Sequence, residues 1–339
     1  METGRERDGI RKAASGGMYA AGEPGGLPGV GTREAAGAGE KAAGWEEPRG
    51  TSGTEGAAAD ARAEARPSPS DPARWPIGAS LSLETWKNGG IDLNRFYDAG
   101  IRHIEMAWRH STYDMFDPDN EAYAEALVVR ARRIGLDVWT MHLPYGTAWD
   151  VSVVDDAERA AVLDRHGRLL RLARRWGIGR AVLHPSWEPI AADERPARVA
   201  ACKRALPLLA AEAERQGVRI AVECLPRTCL GNTSAEMLEL VGADERLGVC
   251  CDVNHLLQER SEHFIRRLAG RIVTVHMSDY DGVDERHWLP GKGVIRWNDV
   301  IGALAEQGYA GPFLFEVRQP DPDELAACWE RLLGDYVRR

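Results

Sequence analysis

Val218-Arg-Ile-Ala-Val-Glu223 and Leu247-Gly-Val-Cys-Cys-Asp252 are two short apolar runs, each closed by a carboxylate. Two further runs have the same form: Ile272-Val-Thr-Val-His276 ends on an imidazole and Phe313-Leu-Phe-Glu316 on a carboxylate. Short runs rich in β-branched and aromatic residues read as strands buried on both faces, as in a parallel sheet. Ligand-type side chains at four successive strand ends suit one divalent cation at the mouth of a closed barrel, where that fold builds its active site. Glu223, Asp252, His276 and Glu316 are therefore the candidate metal ligands. Burying three carboxylates together without a cation would be strongly unfavourable or would force protonation.

Outward from these runs, strands and helices alternate. Strands are expected at 77–81, 101–106, 138–143, 180–183, 218–222, 247–251, 271–275 and 312–315. Helices are expected at 93–99, 120–134, 156–176, 196–216, 234–241, 262–269, 297–307 and 321–336. Gly100, Gly135, Gly177, Gly217 and Gly308 follow helices, where only glycine takes the left-handed conformation at little cost. Strict alternation implies a parallel sheet, and eight units suffice to close it. No G-x-G-x-x-G follows the first strand, which argues against an open dinucleotide-binding sheet. The expected fold is an α/β, (β/α)8 TIM barrel.

The first segment of the 339-residue chain, 1–72, is rich in Gly, Ala, Glu and Arg and nearly free of Leu, Val and Phe. It cannot bury enough apolar surface to offset its ordering entropy, so a disordered extension is expected there. It lacks the basic and apolar regions of a secretory signal. The remaining domain, 73–339, has the length of a typical barrel, ~250 residues. No run of ~18 apolar residues is present to span a membrane. The formal net charge of −9 argues against a nucleic-acid partner. The six cysteines show no paired spacing and read as reduced core thiols of a cytoplasmic protein.

Other polar groups fall at the same strand ends: Glu105 and Trp108, His142 and Tyr145, His184 and Trp187, Arg227, His255, Asp279, His287 and Arg318. His142 and His184 could ligate a metal or hydrogen-bond a neighbouring carboxylate. His255, three residues after Asp252, could contact substrate or a second metal. Trp108, Trp187 and Trp288 suggest an apolar wall for the C–H face of a sugar, with ordinary packing as the alternative. His166 and His263 lie on expected helices and read as surface residues, and His103 receives no role.

On Val222-Glu-Cys-Leu-Pro-Arg227, Cys251-Asp-Val-Asn-His255, Val275-His-Met-Ser-Asp-Tyr-Asp-Gly282, His287-Trp-Leu-Pro-Gly-Lys-Gly293 and Gly308-Tyr-Ala-Gly-Pro-Phe-Leu-Phe-Glu316, the chain resembles the xylose isomerase-like barrel superfamily, the sugar phosphate isomerase/epimerase group. The resemblance runs from about Trp75 to the C-terminus. It implies that Glu223, Asp252, His276 and Glu316 hold one divalent ion (Mn²⁺, Mg²⁺ or Co²⁺, with Zn²⁺ open). It also implies that Glu223 and Glu316 serve as acid and base on a small sugar or cyclitol. His255, Arg227, His142, His184, His287 and Trp108 would then contact substrate. Ketose 3-epimerases of the group carry a further Glu where this chain has Cys229, which keeps a related isomerase, an inosose-type dehydratase or a non-enzymatic sugar-binding barrel open. A fourth reading comes from the apurinic/apyrimidinic endonucleases of the superfamily, with three zinc ions. Their ligands correspond to His142, His184, Glu223, Asp252, His255, His276, Glu285, His287 and Glu316, with Glu285 in place of an Asp. By analogy with such barrels, the resemblance also implies a homo-oligomer.

Overall fold

The computed structural model describes residues 69–339. The expected disordered extension falls almost entirely on residues 1–68, outside the described residues. Its last few residues already belong to the domain: Ser70 N donates to Ala305 O at 2.9 Å, Ser70 Oγ donates to Tyr309 O, and Pro72–Arg74 form a 3-10 turn.

Eight strands alternate with helices: β1 (Ile77–Ser82), α1 (Leu83–Lys87), α2 (Leu93–Asp98), β2 (Ile101–Ala107), α3 (Pro118–Ile134), β3 (Asp137–His142), α4 (Asp156–Arg175), β4 (Arg180–Leu183), α5 (Arg195–Arg215), β5 (Arg219–Glu223), α6 (Ser234–Val241), β6 (Gly248–Asp252), α7 (Ser261–Arg267), β7 (Ile272–His276), α8 (Trp297–Glu306), β8 (Phe313–Phe315) and α9 (Pro322–Val337). Local chemistry sets the ends. Asp117 caps α3 by accepting from the backbone N–H of Asp119 and Asn120, Pro118 opens its first turn, and Gly135 closes it at φ 100°. The short helix α1 has no counterpart in the sequence reading. Ser82 caps it through Thr85 N, and Leu83 and Trp86 are its buried side chains.

The sheet is all parallel in the order β7-β6-β5-β4-β3-β2-β1-β8. It closes between its outer strands through a single bridge, Met277 to Phe315. There Met277 N donates to Leu314 O at 2.8 Å and Glu316 N to Met277 O at 3.2 Å. This seam lies one residue beyond His276 and one before Glu316, so barrel closure itself brings those two side chains together. Asp252 and His276 are register partners across β6 and β7. Gly248 opens β6 against Val273, whose side chain occupies the space a Cβ would need.

A continuous hydrophobic core fills the space between barrel and helices, with a small cluster of Val182, Ala221 and Cys250 apart from it. All six cysteines are buried and free, as expected of core thiols. His166 corrects the sequence reading. It is fully buried rather than on the surface, with Nε2 3.0 Å from Trp149 O, because α4 turns that face inward. His263 is exposed and pairs with Glu259. Among the described residues no helix is long and apolar enough to cross a membrane.

Candidate active site

The four ligand candidates converge. One ligand-type atom from each of Glu223, Asp252, His276 and Glu316 lies within 4.8 Å of the others, and all four residues are buried. His276 Nδ1 stands 3.0 Å from Glu223 Oε1, 3.2 Å from Glu316 Oε2 and 3.8 Å from Asp252 Oδ2. The other ring nitrogen, Nε2, is 3.1 Å from Glu105 Oε2. Glu105 is among the strand-end polar groups of the sequence, which gives it no ligand, catalytic or substrate-binding role. It is fully buried, accepts from Ser80 Oγ and Thr140 Oγ1 at 2.8 Å each, and orients His276 from the barrel interior. The available sign was a carboxylate within the apolar strand Ile101–Ala107.

Other histidines follow the same rule. His142 Nδ1 donates to Leu143 O at 3.0 Å, which leaves its Nε2 facing Glu223 Oε2 at 3.2 Å. His255 Nδ1 donates to Cys224 O at 3.0 Å, which leaves Nε2 facing Glu285 Oε2 at 2.9 Å. His287 Nδ1 donates to Glu316 O at 3.2 Å. A carbonyl only accepts, so each outer nitrogen carries the proton. In the neutral imidazole the inner nitrogen then presents a lone pair, the usual arrangement of histidines that ligate metal. His184 Nε2 is 2.9 Å from Glu223 Oε2.

Lone pairs aimed at carboxylates repel unless a positive charge lies between them, and the ionisation of the site reflects this. Burial alone would raise Glu223, but His276, His184 and His142 hold its carboxyl well below the usual range. Burial pushes Asp252 up to about 7, with Glu316 and Glu223 adding to the rise against His255. Burial disfavours the charged form of His142, yet Glu223 carries it up to about 9. Without a cation, protons neutralise the cluster. Asp252 Oδ2 is buried and accepts no hydrogen bond among the described residues. This donor set, hard carboxylates with imidazoles braced from behind, fits a divalent cation.

A second group, His255, Glu285 and His287, likewise brings three ligand-type atoms within 4.8 Å, and a third joins His142 to Glu223 and His276. Asn254 Oδ1 accepts from Arg286 N at 3.0 Å and His287 N at 3.3 Å, and His287 sits at φ 50°. Asp279, offered by the sequence as a mouth group, instead organises residues 277–296. It accepts from Gly291 N at 2.8 Å, Trp297 Nε1 at 2.9 Å, Tyr280 N at 3.0 Å and Ile295 N at 3.1 Å.

The remaining expected contacts divide. Tyr145 stacks on His184 with centroids 4.6 Å apart and on Trp187 at 5.6 Å, which makes an aromatic wall beside the ligands. Trp288 is 39% exposed, whereas Trp108 is 2% exposed and packed in the core. Arg227 is engaged by Glu188, Asp284 and Glu285. Cys229 is buried.

An uncharacterized protein of Methanocaldococcus jannaschii is 32% identical over 112 residues, 31% of this chain and 38% of that protein. An inosose isomerase of Halalkalibacterium halodurans is 28% identical over 138 residues, 37% of this chain and 49% of that protein. The match thus spans less than half the length of either relative. A crystal structure titled as a D-tagatose 3-epimerase-like protein superposes with a TM-score of 0.63 at 22% identity, covering 78% of this chain and 97% of that one, a likeness of fold. Residues 93–331 match the family model described as xylose isomerase-like TIM barrel. With most of its barrel matched and its polar groups gathered at the C-terminal ends of the strands, the chain belongs to the xylose isomerase-like TIM barrel family.

Proposed function

We propose that this protein is a divalent-metal-dependent sugar isomerase or epimerase that moves a proton at the carbon beside a carbonyl. The convergence of buried Glu223, Asp252, His276 and Glu316 carries the reading. These four residues would hold one cation, Mn²⁺, Mg²⁺ or Co²⁺, which when bound supplies Lewis-acid polarisation of a sugar carbonyl. The inosose isomerase and tagatose-epimerase-like neighbours support a polyhydroxylated ketone as substrate.

The protein's own groups supply the proton transfer. Glu223 and Glu316 are both buried and held well below the usual carboxylate range, chiefly against burial and through His276. Both are therefore ionised and able to accept a proton from carbon. One would remove the proton and the other would return one, on the same face for isomerisation or the opposite face for epimerisation. Tyr145 and Trp187 offer an aromatic surface to the apolar face of the sugar. Solvent deuterium tests this directly. Metal-loaded protein in D₂O should label a ketose or inosose of a substrate panel at the carbon beside the carbonyl, and Glu316→Gln should abolish labelling while the fold persists. Labelling retained in Glu316→Gln would remove Glu316 from the chemistry.

A second reading, hydrolysis of a phosphodiester with more than one cation, is favoured by the His255–Glu285–His287 group and by the Nε2 atoms of His142 and His255, which face Glu223 and Glu285. It predicts Zn²⁺-dependent nicking of an abasic DNA duplex that His287→Ala removes. An intact duplex after incubation with zinc-loaded protein would end it.

A further inference from the structure

The opposite end of the barrel carries an unbalanced positive charge. Arg180 and Arg219 are register partners at the first positions of β4 and β5, and Arg271 immediately precedes β7. Alternate residues of a strand share one face. Val182 and Ala221 pack together, and His184 meets Glu223 beyond them, so Arg180 and Arg219 fall in the first layer of that same face. The Arg180 guanidinium lies over the Trp139 ring, 3.5 Å from its centroid, and Trp139 Nε1 donates to Thr274 Oγ1 at 3.2 Å. Among the described residues none of the three arginines is ion-paired with a carboxylate. Asp137, at the first position of β3, faces His103 at 3.4 Å instead. Loss of water and then Arg271 disfavour the charged form of Arg219. A cleft of about 410 Å³ opens beside Arg219, lined also by Gly179, Gly217, Glu214, Glu245 and Arg246. Arg271 Nη1 reaches this cleft, donating to the Glu245 carbonyl at 3.3 Å.

We propose that Arg180, Arg219 and Arg271 form an anion site at the N-terminal end of the barrel that takes the phosphoryl group of a small organic phosphate, the adjoining cleft holding the rest of the molecule. Guanidinium forks match the oxygens of a phosphate, and three neighbouring cations without counter-charges are relieved by a dianion. The cleft has the volume of a small-molecule site, ~300–1,000 Å³. A side chain added at Gly179 or Gly217 would meet nothing within 4 Å, so the backbone there is open to a ligand. Arg246 is already taken by Asp244 at 2.6 Å and Glu214 at 2.7 Å, which leaves anion binding to the other three arginines. The carboxylates of Glu214 and Glu245 disfavour a second anionic group, so a monophosphate fits better than a polyanion. Glu223 and His276 end the strands that begin at this rim, so the ligand is a molecule distinct from the substrate of that centre.

The test is calorimetric titration of chelator-stripped full-length protein with inorganic phosphate and with glycerol 3-phosphate, in a low-salt buffer free of other multivalent anions. Glycerol 3-phosphate should bind once per chain and more tightly than phosphate. Arg219→Gln should weaken both at least tenfold, Arg180→Gln should do the same, and Arg219→Lys should restore part of the loss. Circular dichroism establishes folding, and if Arg180→Gln does not fold, Arg271→Gln takes its place. Absence of binding, or binding unchanged in the folded variants, would overturn the proposal. Malonate bound as tightly as glycerol 3-phosphate would overturn the phosphoryl assignment, and equal affinity for the two phosphates would overturn the role of the cleft.

Discussion

Glu105 Oε2 lies 3.1 Å from His276 Nε2, and both side chains are fully buried. The two residues are 171 positions apart and meet across the barrel interior. This contact fixes which nitrogen of His276 faces the ligand cluster. Removing such a partner typically lowers metal affinity 10–100-fold, at about 1.4 kcal/mol per tenfold. Glu105→Gln should therefore weaken divalent-cation binding by about that factor with little change in secondary structure, measured by competition with a chelating dye. Wild-type affinity in the variant would show that His276 is oriented without Glu105.

Gly293 is required where residues 277–296 fold back on themselves. A Cβ there would overlap the Tyr280 carbonyl and the Asp279 carboxylate, the group that gathers four donors into this loop. Overpacking of this kind destabilises by about 1–3 kcal/mol. Gly293→Ala should lower the urea midpoint accordingly and disturb Glu285 and His287, which the same loop carries. An unchanged midpoint would mean that the loop has another conformation at similar energy.

The stability of the chelator-treated protein should fall on the acid side through His166. Burial outweighs its bond to Trp149 and lowers this imidazole from 6.5 to about 4. The folded state therefore favours the neutral ring, and between those values the unfolded chain binds more protons. The contribution is present above pH ~6.5 and is lost as pH falls toward ~4, amounting to roughly 3 kcal/mol. Urea midpoints across that window should show the loss, and His166→Gln should flatten the slope that this group contributes. An identical slope in the variant would remove His166 as its source.

Phe315 carries the closing seam. It is fully buried, bridges to Met277, and packs on Phe313 with centroids 5.0 Å apart. Phe315→Ala should destabilise by about 3–5 kcal/mol. Because the seam adjoins both His276 and Glu316, cation affinity should fall as well. Unfolding by denaturant and dye competition measure the two effects, and intact affinity in a destabilised variant would separate closure from ligand placement.

Much of this was legible in the chain. The apolar runs ending at Glu223, Asp252, His276 and Glu316 form consecutive strands, and their last residues converge, because period and length suffice to identify buried strands and parallel strands share one end. The glycines after the helices, Gly135 after α3 among them, are local signals and were read as such, whereas the Asp117 cap and Pro118 were not, and α3 begins two residues before the expected 120. The five-residue α1 was missed because a single turn directly after a strand leaves no periodic pattern. His166 was misread because its helix is polar on average, and only packing decides which side of a polar helix faces the barrel.

The sequence by itself determined the alternation of elements, hence the barrel, and the four candidate ligands at the strand ends, since both follow from short-range pattern. Only the tertiary structure decided which nitrogen of each histidine faces inward, that Glu105 stands behind His276, and that Arg227 is occupied by Glu188, Asp284 and Glu285. Apart from the bond of His142 to the neighbouring Leu143 carbonyl, these are contacts between residues tens to more than a hundred positions apart. Neither propensity nor spacing specifies them, because they exist only once the parallel strands close into a ring.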